Sequence, residues 1–462
     1  MELYYWFGDH LAVLMFLVLT LIMFVGYPVA FVLGGVALAF GAMGIVFDVF
    51  RPGQFYALIP RIWGQAVQNP ALIAIPMFVF MGTMLERSGV ADDLLRALQV
   101  LTRRIPGGLA MSVTLMGTIM AATTGIVGAS VIMLTLIALP TMLERGYSKE
   151  LSTGTIASAG TLGILIPPSI MLVIMGDLMS VSVGTLFTAA IMPGLVLSAI
   201  YLVYIGVFAF LRPSAAPPLA DDSGPRTSAE FWRMMLRSFL PPSFLIFVVL
   251  GSIFGGFATP TEAGGAGSLG AILLALWNGR LNLKTIREVL ESAALTNALV
   301  FFIVFGATLF SYVFRALGGD DLVAEILKAL GINTGWEILS FVMVLVFLMG
   351  FFFDWLEICL IVLPIFAPIL KLIDFTPHLA TNKDFLAWFL ILVAVNLQSA
   401  FLTPPFGFAL FYMKGTVPPS VTMQHIYRGI IPFVMLQLLA VVACMIWPEI
   451  VLWLPRRFGF LD

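Results

Sequence analysis

Charged residues and the usual building blocks of catalytic and metal centres are scarce in this sequence. Of its 462 residues, 10% are charged and 61% are hydrophobic, which lies far outside the composition of soluble proteins. Its two cysteines lie within apolar runs and its three histidines lie far apart, which excludes a disulfide framework and zinc or haem spacing. No P-loop, H-E-x-x-H or G-x-S-x-G motif occurs, so the chain carries no ATP-hydrolysing loop and no common hydrolase signature.

Long apolar runs are what the sequence has in abundance. Runs of about 17 to 25 apolar residues are long enough to cross a bilayer as helices. The chain is therefore predicted to be an all-α, multi-pass membrane protein. The predicted spans are 10–26, 28–47, 69–85, 152–175, 186–211, 240–258, 262–278, 292–313, 386–412 and 430–453.

The first apolar run continues through Gly26, Tyr27 and Pro28 into the second, without a basic start or an Ala-x-Ala site. No cleavable signal peptide is expected. With the spans in this order, 15 of the 23 basic residues fall in loops on one side, which the positive-inside rule assigns to the cytoplasm. Both termini are then predicted outside, although Arg51 and the Arg456–Arg457 pair count against this orientation.

Two proline pairs interrupt apolar runs, in ILIPPSIMLVIMG at 164–176 and in FLTPPFGFALFYM at 401–413. Proline removes a backbone donor and clashes with the preceding turn, so each pair predicts a broken helix, at 152–175 and at 386–412. Carbonyls freed in this way are tolerated within a membrane only where they face protein or a polar cavity. Broken helices at matching positions of two halves are typical of a transporter's ion and substrate site.

The two halves of the chain resemble each other. A stretch rich in proline, serine and alanine near 214–242 separates them, and the first half carries landmarks that recur in the second at nearly constant offsets. Charge bias reverses between the matched loops 86–104 and 314–337, which indicates opposite sides of the membrane. We predict inverted repeats at 1–213 and 240–462, joined by a cytoplasmic linker and interfacial helix at 214–239. The matched landmarks are Gly26 with Ala258, Phe80 with Phe305, Pro140 with Pro364, and Pro167–Pro168 with Pro404–Pro405.

A re-entrant hairpin is predicted before each broken helix, at 105–143 and at 338–370. In the first, the apolar arm 131–143 has only 13 residues, which is about 20 Å of helix and short of a full crossing. Its tip is predicted at Thr123, Thr124, Gly125 and Gly128. The tip of the second hairpin is predicted at DWLE, residues 354–357.

Polar residues gather where these breaks and tips are predicted. Asp354 and Glu357 are intramembrane acids and so functional candidates, unless they mark a misplaced helix end at the interface. The hydroxyls and free carbonyls there are hard oxygen ligands suited to Na⁺, although serine and threonine also hydrogen-bond within membrane helices. The candidate residues beside the first break are Thr161, Gly163 and Ser169, and those before the second are Asn396, Gln398, Ser399 and Thr403.

Several long motifs resemble the large membrane subunit of a TRAP (tripartite ATP-independent periplasmic) transporter, the DctM-like family, in its mannitol/chloroaromatic-type branch. These motifs are ATTGIVGAS, GFATPTEAGGAGSLGA, FFFDWLEICLIVLPIFAPI and AVNLQSAFLTPPFGFALFYMKG. The resemblance implies a bacterial inner-membrane, Na⁺-driven elevator, in which the hairpins and broken helices move against the remaining helices. It also implies two partners, a small DctQ-like membrane subunit and a periplasmic DctP-like solute-binding protein.

The resemblance also assigns site residues by motif position. Two positions depart from the better-known sialic-acid-type pattern: the tip is Thr124-Gly125-Ile126 where that pattern has serine-glycine-serine, and Ala400 stands where it has a glycine before the second proline pair. Implied Na⁺ ligands are Thr124, Gly125, Gly163 and Ser169 at one site and Asp354, Gln398, Thr403 and Pro404 at the other. Expected substrate contacts are Thr123, Thr124, Ser169, Asp354, Glu357, Asn396, Ser399 and Thr403.

The function expected from these features is Na⁺-coupled import of a small organic anion, such as a carboxylate, by a permease subunit. Na⁺ is expected as a co-transported ion, with no organic cofactor, no enzymatic activity and no nucleic-acid partner. The chain lacks an extra four-helix segment at its N-terminus, so the small subunit is expected to be a separate polypeptide. The alternatives are a stand-alone Na⁺/carboxylate symporter or antiporter, an intramembrane aspartyl hydrolase using Asp354 and Glu357, and a purely structural subunit.

Overall fold

The computed structural model describes residues 2–124, 127–218, 227–332, 334–370, 375, 378–379, 381–404 and 407–461, and every regular element among them is helical. The first half contains α1 (Glu2–Phe24), α2 (Val29–Val46), α3 (Pro52–Tyr56), α4 (Leu58–Ile62), α5 (Ala74–Arg87), α6 (Val90–Thr102), α7 (Gly108–Thr124), α8 (Val127–Glu144), α9 (Lys149–Thr161), α10 (Ile170–Met179) and α11 (Val183–Leu211). The second contains α12 (Ser228–Phe254), α13 (Pro260–Trp277), α14 (Leu283–Ala316), α15 (Gly319–Ala329), α16 (Gly335–Met349), α17 (Trp355–Leu370), α18 (Asn382–Leu402), α19 (Phe408–Lys414), α20 (Met423–Ile446) and α21 (Glu449–Arg457).

Among the described residues, eight helical segments are long and apolar enough to cross a membrane. This agrees with the predicted all-α, multi-pass architecture. One of the eight is α8, whose 18 residues make a helix of about 27 Å. The arm at 131–143 was therefore predicted too short, because the helix already begins at Val127, before the apolar run. Its length does not by itself make it re-entrant, although α7 and α8 do pack together as a hairpin.

Both predicted helix breaks are present. In the first, α9 ends at Thr161, a 3₁₀ turn covers Leu162–Ile164, and α10 begins at Ile170. In the second, α18 ends at Leu402 and α19 begins at Phe408. Each break lies at a proline pair, where the backbone donors needed to continue the helix are missing.

A third proline pair, Pro241–Pro242, leaves its helix intact. It lies inside α12, which runs unbroken from Ser228 to Phe254. The predicted boundary between an interfacial helix ending at 239 and a span beginning at 240 therefore falls inside one continuous helix. The proline ring fixes φ at a helical value, so proline can lie within a helix. The carbonyls that it leaves without donors lie one turn earlier, in the part of α12 that carries Arg233 and Arg237, where polar groups are close.

The order of elements in the first half recurs in the second. Helices α5 and α14 each end in an elbow with a left-handed glycine, Gly89 and Gly318, before a short amphipathic helix. A hairpin, a broken helix and a long span follow in both halves. Packing between the halves is reciprocal: α13 packs on α5 and α2 on α14, α20 packs on α9 and α11 on α18, and α19 packs on α8 and α10 on α17.

Two groups of helices can be distinguished by their packing. The frame consists of α1, α2, α5, α6 and α12–α15, and the core bundle consists of α7–α11 and α16–α21. The first arms of the two broken helices lie at the centre of the core bundle. In α9, residues 151–161 are all buried, and 94% of the stretch Asp384–Leu402 in α18 is buried. The breaks are thus held among protein rather than lipid.

The start of α18 is fixed to the last helix by an ion pair. The carboxylate of Asp384 is fully buried, and its Oδ2 accepts hydrogen bonds from the guanidinium of Arg456, at 3.2 Å, and from the backbone N–H of Thr381, at 3.1 Å. Arg456 also pairs with Glu449 within α21. A buried carboxylate is costly without such partners.

We therefore expect Arg456→Ala to destabilise the protein by about 1–3 kcal/mol, since Asp384 would be left with an unpaired charge while the arginine itself is partly exposed. Thermal unfolding in detergent measures this. Arg457→Ala is the matched control, because the neighbouring Arg457 is exposed. Equal stability of the two variants would show that the ion pair does not anchor α18.

Candidate functional site

The first break is organised by Ser169, which caps α10. Its hydroxyl accepts a hydrogen bond from the backbone N–H of Leu172, at 3.4 Å, and donates one to the carbonyl of Ile164. Ser169 and Gly163 are both buried. A serine hydroxyl has two lone pairs, so the oxygen of Ser169 keeps capacity for one further interaction at the break.

The second break is held by a chain of side-chain bonds to carbonyls. Thr403 donates to the carbonyl of Ser399 at 2.5 Å, and Ser399 donates to the carbonyl of Asn396 at 2.6 Å. Asn396 in turn donates from Nδ2 to the carbonyl of Met343 in α16, at 2.7 Å. These bonds tie the end of α18 to the second hairpin. They also use hydroxyl protons but leave acceptor lone pairs free on both hydroxyls.

Gln398 joins the two breaks directly. Its Nε2 donates to the carbonyl of Thr161, the last residue of α9, at 3.0 Å. Its Oε1 is buried and has no hydrogen-bond partner among the described residues. The offset between Thr161 and Gln398 equals that between the two proline pairs, so matched positions of the two halves meet here. A buried, unpaired amide oxygen is costly, and such an oxygen is available to a bound ion or a donor.

The tip of the second hairpin carries both intramembrane acids. Asp354 precedes α17, and its Oδ1 accepts from the N–H of Trp355 at 2.8 Å. The buried Glu357 folds back so that its Oε2 accepts from the N–H of Asp354 at 3.1 Å. This is the geometry of a helix cap. Glu357 is therefore engaged in holding the tip, and among the described residues no hydrogen bond joins Asp354 to Gln398 or Thr403.

The second hairpin approaches α18 very closely at its tip. A Cβ at Gly350 would fall 2.0 Å from the Cβ of Ala400. Only glycine permits this contact, which brings the loop before Asp354 against the last turn before the second break. Ala400 replaces the glycine expected there, and the space is provided by Gly350 instead.

The tip of the first hairpin is described only in part. Gly125 lies outside the described residues, as do the side chains of Thr123 and Thr124 at the end of α7, so their predicted roles stay predictions. Gly128 is described, and a Cβ there would lie 2.9 Å from the ring of Tyr412 in α19.

Among the described candidates, a hydrogen bond joins Gln398 to Thr161, whereas the bonds of Asp354 and Glu357 stay within their own hairpin tip. Ser399 follows Gln398 directly, Thr403 lies one turn beyond Ser399, and the half-buried Pro404 comes next. Sequence reasoning missed Gly350 and Tyr412, for which neither composition nor spacing gave a signal. Among the described residues, no group of three His, Cys, Asp or Glu side chains is placed to hold a metal ion. The oxygens at the two breaks are carbonyls, hydroxyls and one amide, and the second hairpin tip adds the carboxylate of Asp354; such ligands are suited to a hard cation rather than to zinc.

A bundle of membrane-length helices in which two interrupted helices meet behind hairpin tips defines the class of secondary transporters. Within that class, the chain belongs to the DctM family, because the family model "Tripartite ATP-independent periplasmic transporter, DctM component" matches residues 15–450.

Three relatives illustrate the range of the family. The C4-dicarboxylate TRAP transporter large permease protein DctM of Pseudomonas aeruginosa is 31% identical over 91% of this chain and 93% of its own length. The ectoine TRAP transporter large permease protein TeaC of Halomonas elongata is 31% identical over 87% and 90%. The isethionate TRAP transporter permease protein DctMQ of Oleidesulfovibrio alaskensis is 29% identical over 91% of this chain and 62% of its own length.

The fold is also similar to that of a solved structure, the YdaH transporter of Alcanivorax borkumensis. The TM-score is 0.61, with 14% sequence identity, over 98% of this chain and 100% of the other. At this identity the likeness concerns the fold alone.

Proposed function

We propose that this protein is the large permease subunit of a Na⁺-coupled, binding-protein-dependent importer of small organic anions, which works by an elevator movement. The observation that carries the proposal is the bridge from Gln398 to the carbonyl of Thr161, with a buried amide oxygen left free between two helix breaks. An unpaired acceptor held between two helix breaks supports the binding of a cation there during transport.

The proposed Na⁺ ligands are oxygens at the two breaks and tips. One site uses Ser169 and the backbone near Gly163, completed by Thr124 and Gly125 of the first hairpin. The other uses Gln398, Thr403, the backbone at Pro404, and Asp354 of the second hairpin. Because each site combines a break with a hairpin tip, bound Na⁺ would order the tips, and substrate and ion affinities would rise together.

The substrate is proposed to bind between the two tips, where Thr123, Thr124, Ser169, Asp354, Glu357, Asn396, Ser399 and Thr403 converge in the predicted arrangement. A small organic anion fits the named transport substrates of the relatives, which include C4-dicarboxylates and isethionate. The mannitol/chloroaromatic-type branch stays a finer proposal, supported by sequence motifs alone.

Two partners and an inner-membrane location belong to the same proposal. The name DctMQ of the isethionate relative, of which this chain spans 62%, supports a small membrane subunit as one partner. The sidedness inferred from the basic residues supports a cytoplasmic side for the linker and interfacial helix predicted at 214–239.

Reconstituted uptake tests this function. Proteoliposomes would contain the permease with its small subunit and be assayed with C4-dicarboxylate, isethionate and ectoine in turn. We expect uptake of at least one solute to require both an inward Na⁺ gradient and the solute-binding protein. Uptake that persists in choline would refute Na⁺ coupling. Uptake by the permease chain without the binding protein would instead favour the stand-alone symporter.

A further inference from the structure

The frame contacts the core bundle differently in the two halves. In the first half, α5 and α6 pack on α7, the first arm of the first hairpin. In the second half, α14 and α15 pack on α17, the second arm of the second hairpin. Equivalent frame helices therefore hold non-equivalent hairpin arms. In a protein built from inverted repeats, exchanging the conformations of the two halves gives the state that is open to the other side of the membrane, here called the opposite state.

One hydrogen bond ties the frame to the core bundle at the second of these contacts. Arg315, in the last turn of α14, donates from its guanidinium to the carbonyl of Pro364 in α17. Residue 368, which would supply the helical N–H for this carbonyl, is itself a proline. The Pro364 carbonyl thus has no donor within its own helix, and the arginine satisfies it.

Arg315 has a counterpart in the first half. RSGVADDL from Arg87 and RALGGDDL from Arg315 share the arginine and the Asp-Asp-Leu that follows at the same spacing. Arg87 does not reach the core bundle here and pairs instead with Glu288 of α14, at 3.0 Å. Pro140, the counterpart of Pro364, is exposed on α8.

The corresponding hairpin arms of the two halves, α8 and α17, also differ in how exposed they are. Leu136 of α8 is 58% exposed, whereas its counterpart Leu360 of α17 is 4% exposed. Pro140 has no N–H, so the carbonyl of Leu136 lacks a donor within its helix. The first hairpin therefore presents an uncovered surface, with a carbonyl that lacks a helical donor one turn before the position that corresponds to the bonded Pro364 carbonyl.

We propose that Arg315 and Arg87 are alternating latches of transport. Arg315 bonded to the Pro364 carbonyl holds the present state, and Arg87 released from Glu288 and bonded to the Leu136 carbonyl holds the opposite state. The two latches exclude each other, because each requires a different hairpin arm to face the frame. This inference rests on the proposed elevator movement and assigns to it two positioning residues on the frame.

The test measures the distance between the frame and the core bundle by pulsed electron paramagnetic resonance. One spin label is attached at Leu283→Cys on the frame and the other at Arg145→Cys on the core bundle, because both residues are exposed. The native Cys359 and Cys444 are buried. Full-length protein in lipid nanodiscs would be measured in Na⁺ and in choline. We expect two distance populations whose ratio responds to Na⁺.

Arg315→Ala is expected to shift the population ratio about tenfold towards the opposite state, since it removes one charge-assisted hydrogen bond. Arg87→Ala is expected to shift it towards the present state. Arg61→Ala is the matched control and should leave the ratio unchanged. The guanidinium of Arg61 lies 4.0 Å from the centre of the Tyr312 ring in α14, so its interaction is with the frame. Arg315→Lys should restore part of the present state.

The outcomes separate the latch from the elevator. A single distance population in every condition would refute the elevator movement and the latch with it. Two populations that respond to Na⁺ but not to Arg315→Ala or Arg87→Ala would overturn the latch alone. A shift of both variants in the same direction would also overturn it, because mutually exclusive latches require opposite shifts.

Discussion

Replacing Gln398 with alanine is expected to raise the Na⁺ concentration needed to stabilise the protein by about 10- to 100-fold. The substitution removes both the donor to the Thr161 carbonyl and the free Oε1. A hydrogen bond or ligand contact to a charged group in a buried site is worth about 1.5–3 kcal/mol, which corresponds to that change in affinity. Thermal unfolding measured across a series of NaCl concentrations, with choline chloride keeping the ionic strength constant, gives the midpoint.

Gln437→Ala is the matched control for this experiment. Gln437 is likewise a fully buried glutamine in a membrane helix, α20, and its amide lies beside the buried hydroxyl of Tyr201 in α11. Its replacement removes the same atoms away from the two breaks and should leave the Na⁺ midpoint unchanged. The same midpoint in wild type and Gln398→Ala would contradict the assignment of Gln398 as an ion ligand.

Adding a single methyl group at Gly350 is expected to disable the second hairpin tip. In Gly350→Ala the new Cβ would meet the Cβ of Ala400 at 2.0 Å, far inside van der Waals contact. Either the tip or the end of α18 must move, at a cost of about 1–3 kcal/mol. We expect lower thermal stability together with loss of the Na⁺ response, because the movement displaces Asp354 relative to Gln398 and Thr403.

Exchange of the two residues provides a direct control. The double variant Gly350→Ala, Ala400→Gly removes the contact at 2.0 Å but leaves the new Cβ 3.0 Å from the Cα of residue 400, so it should restore much, though not all, of the stability and the Na⁺ response. Ala400→Gly alone removes the clash partner and should be tolerated. If the double variant were as impaired as Gly350→Ala, crowding against Ala400 would not be the cause.

The helix breaks show how much of this site was readable from sequence. Proline pairs at 167–168 and 404–405 predicted both breaks because missing donors have the same local effect wherever they occur in an apolar run. The polar residues around them were found for the same reason. Yet Pro241–Pro242 is chemically identical and leaves α12 continuous, so a proline pair alone does not decide whether a helix ends.

Contacts across the repeat were beyond the reach of sequence patterns. The bond between Gln398 and Thr161 joins residues 237 positions apart, and their meeting depends on how two bundles of helices pack. The close approach of Gly350 to Ala400 and that of Gly128 to Tyr412 depend on the same packing. The length of α8 was also misjudged, because its first turn lies before the apolar run that marks its centre.

By itself, the sequence determined the membrane class, the two repeats, the breaks and the family. These follow from composition, from the length of apolar runs, from missing backbone donors and from motifs, all of which are local properties of the chain. Only the tertiary structure decided which of the polar residues meet, which carboxylate serves as a cap, and which arginine reaches a hairpin. The halves have similar sequences, but they occupy different conformations in one fold, so Arg315 bonds to Pro364 while Arg87 pairs with Glu288.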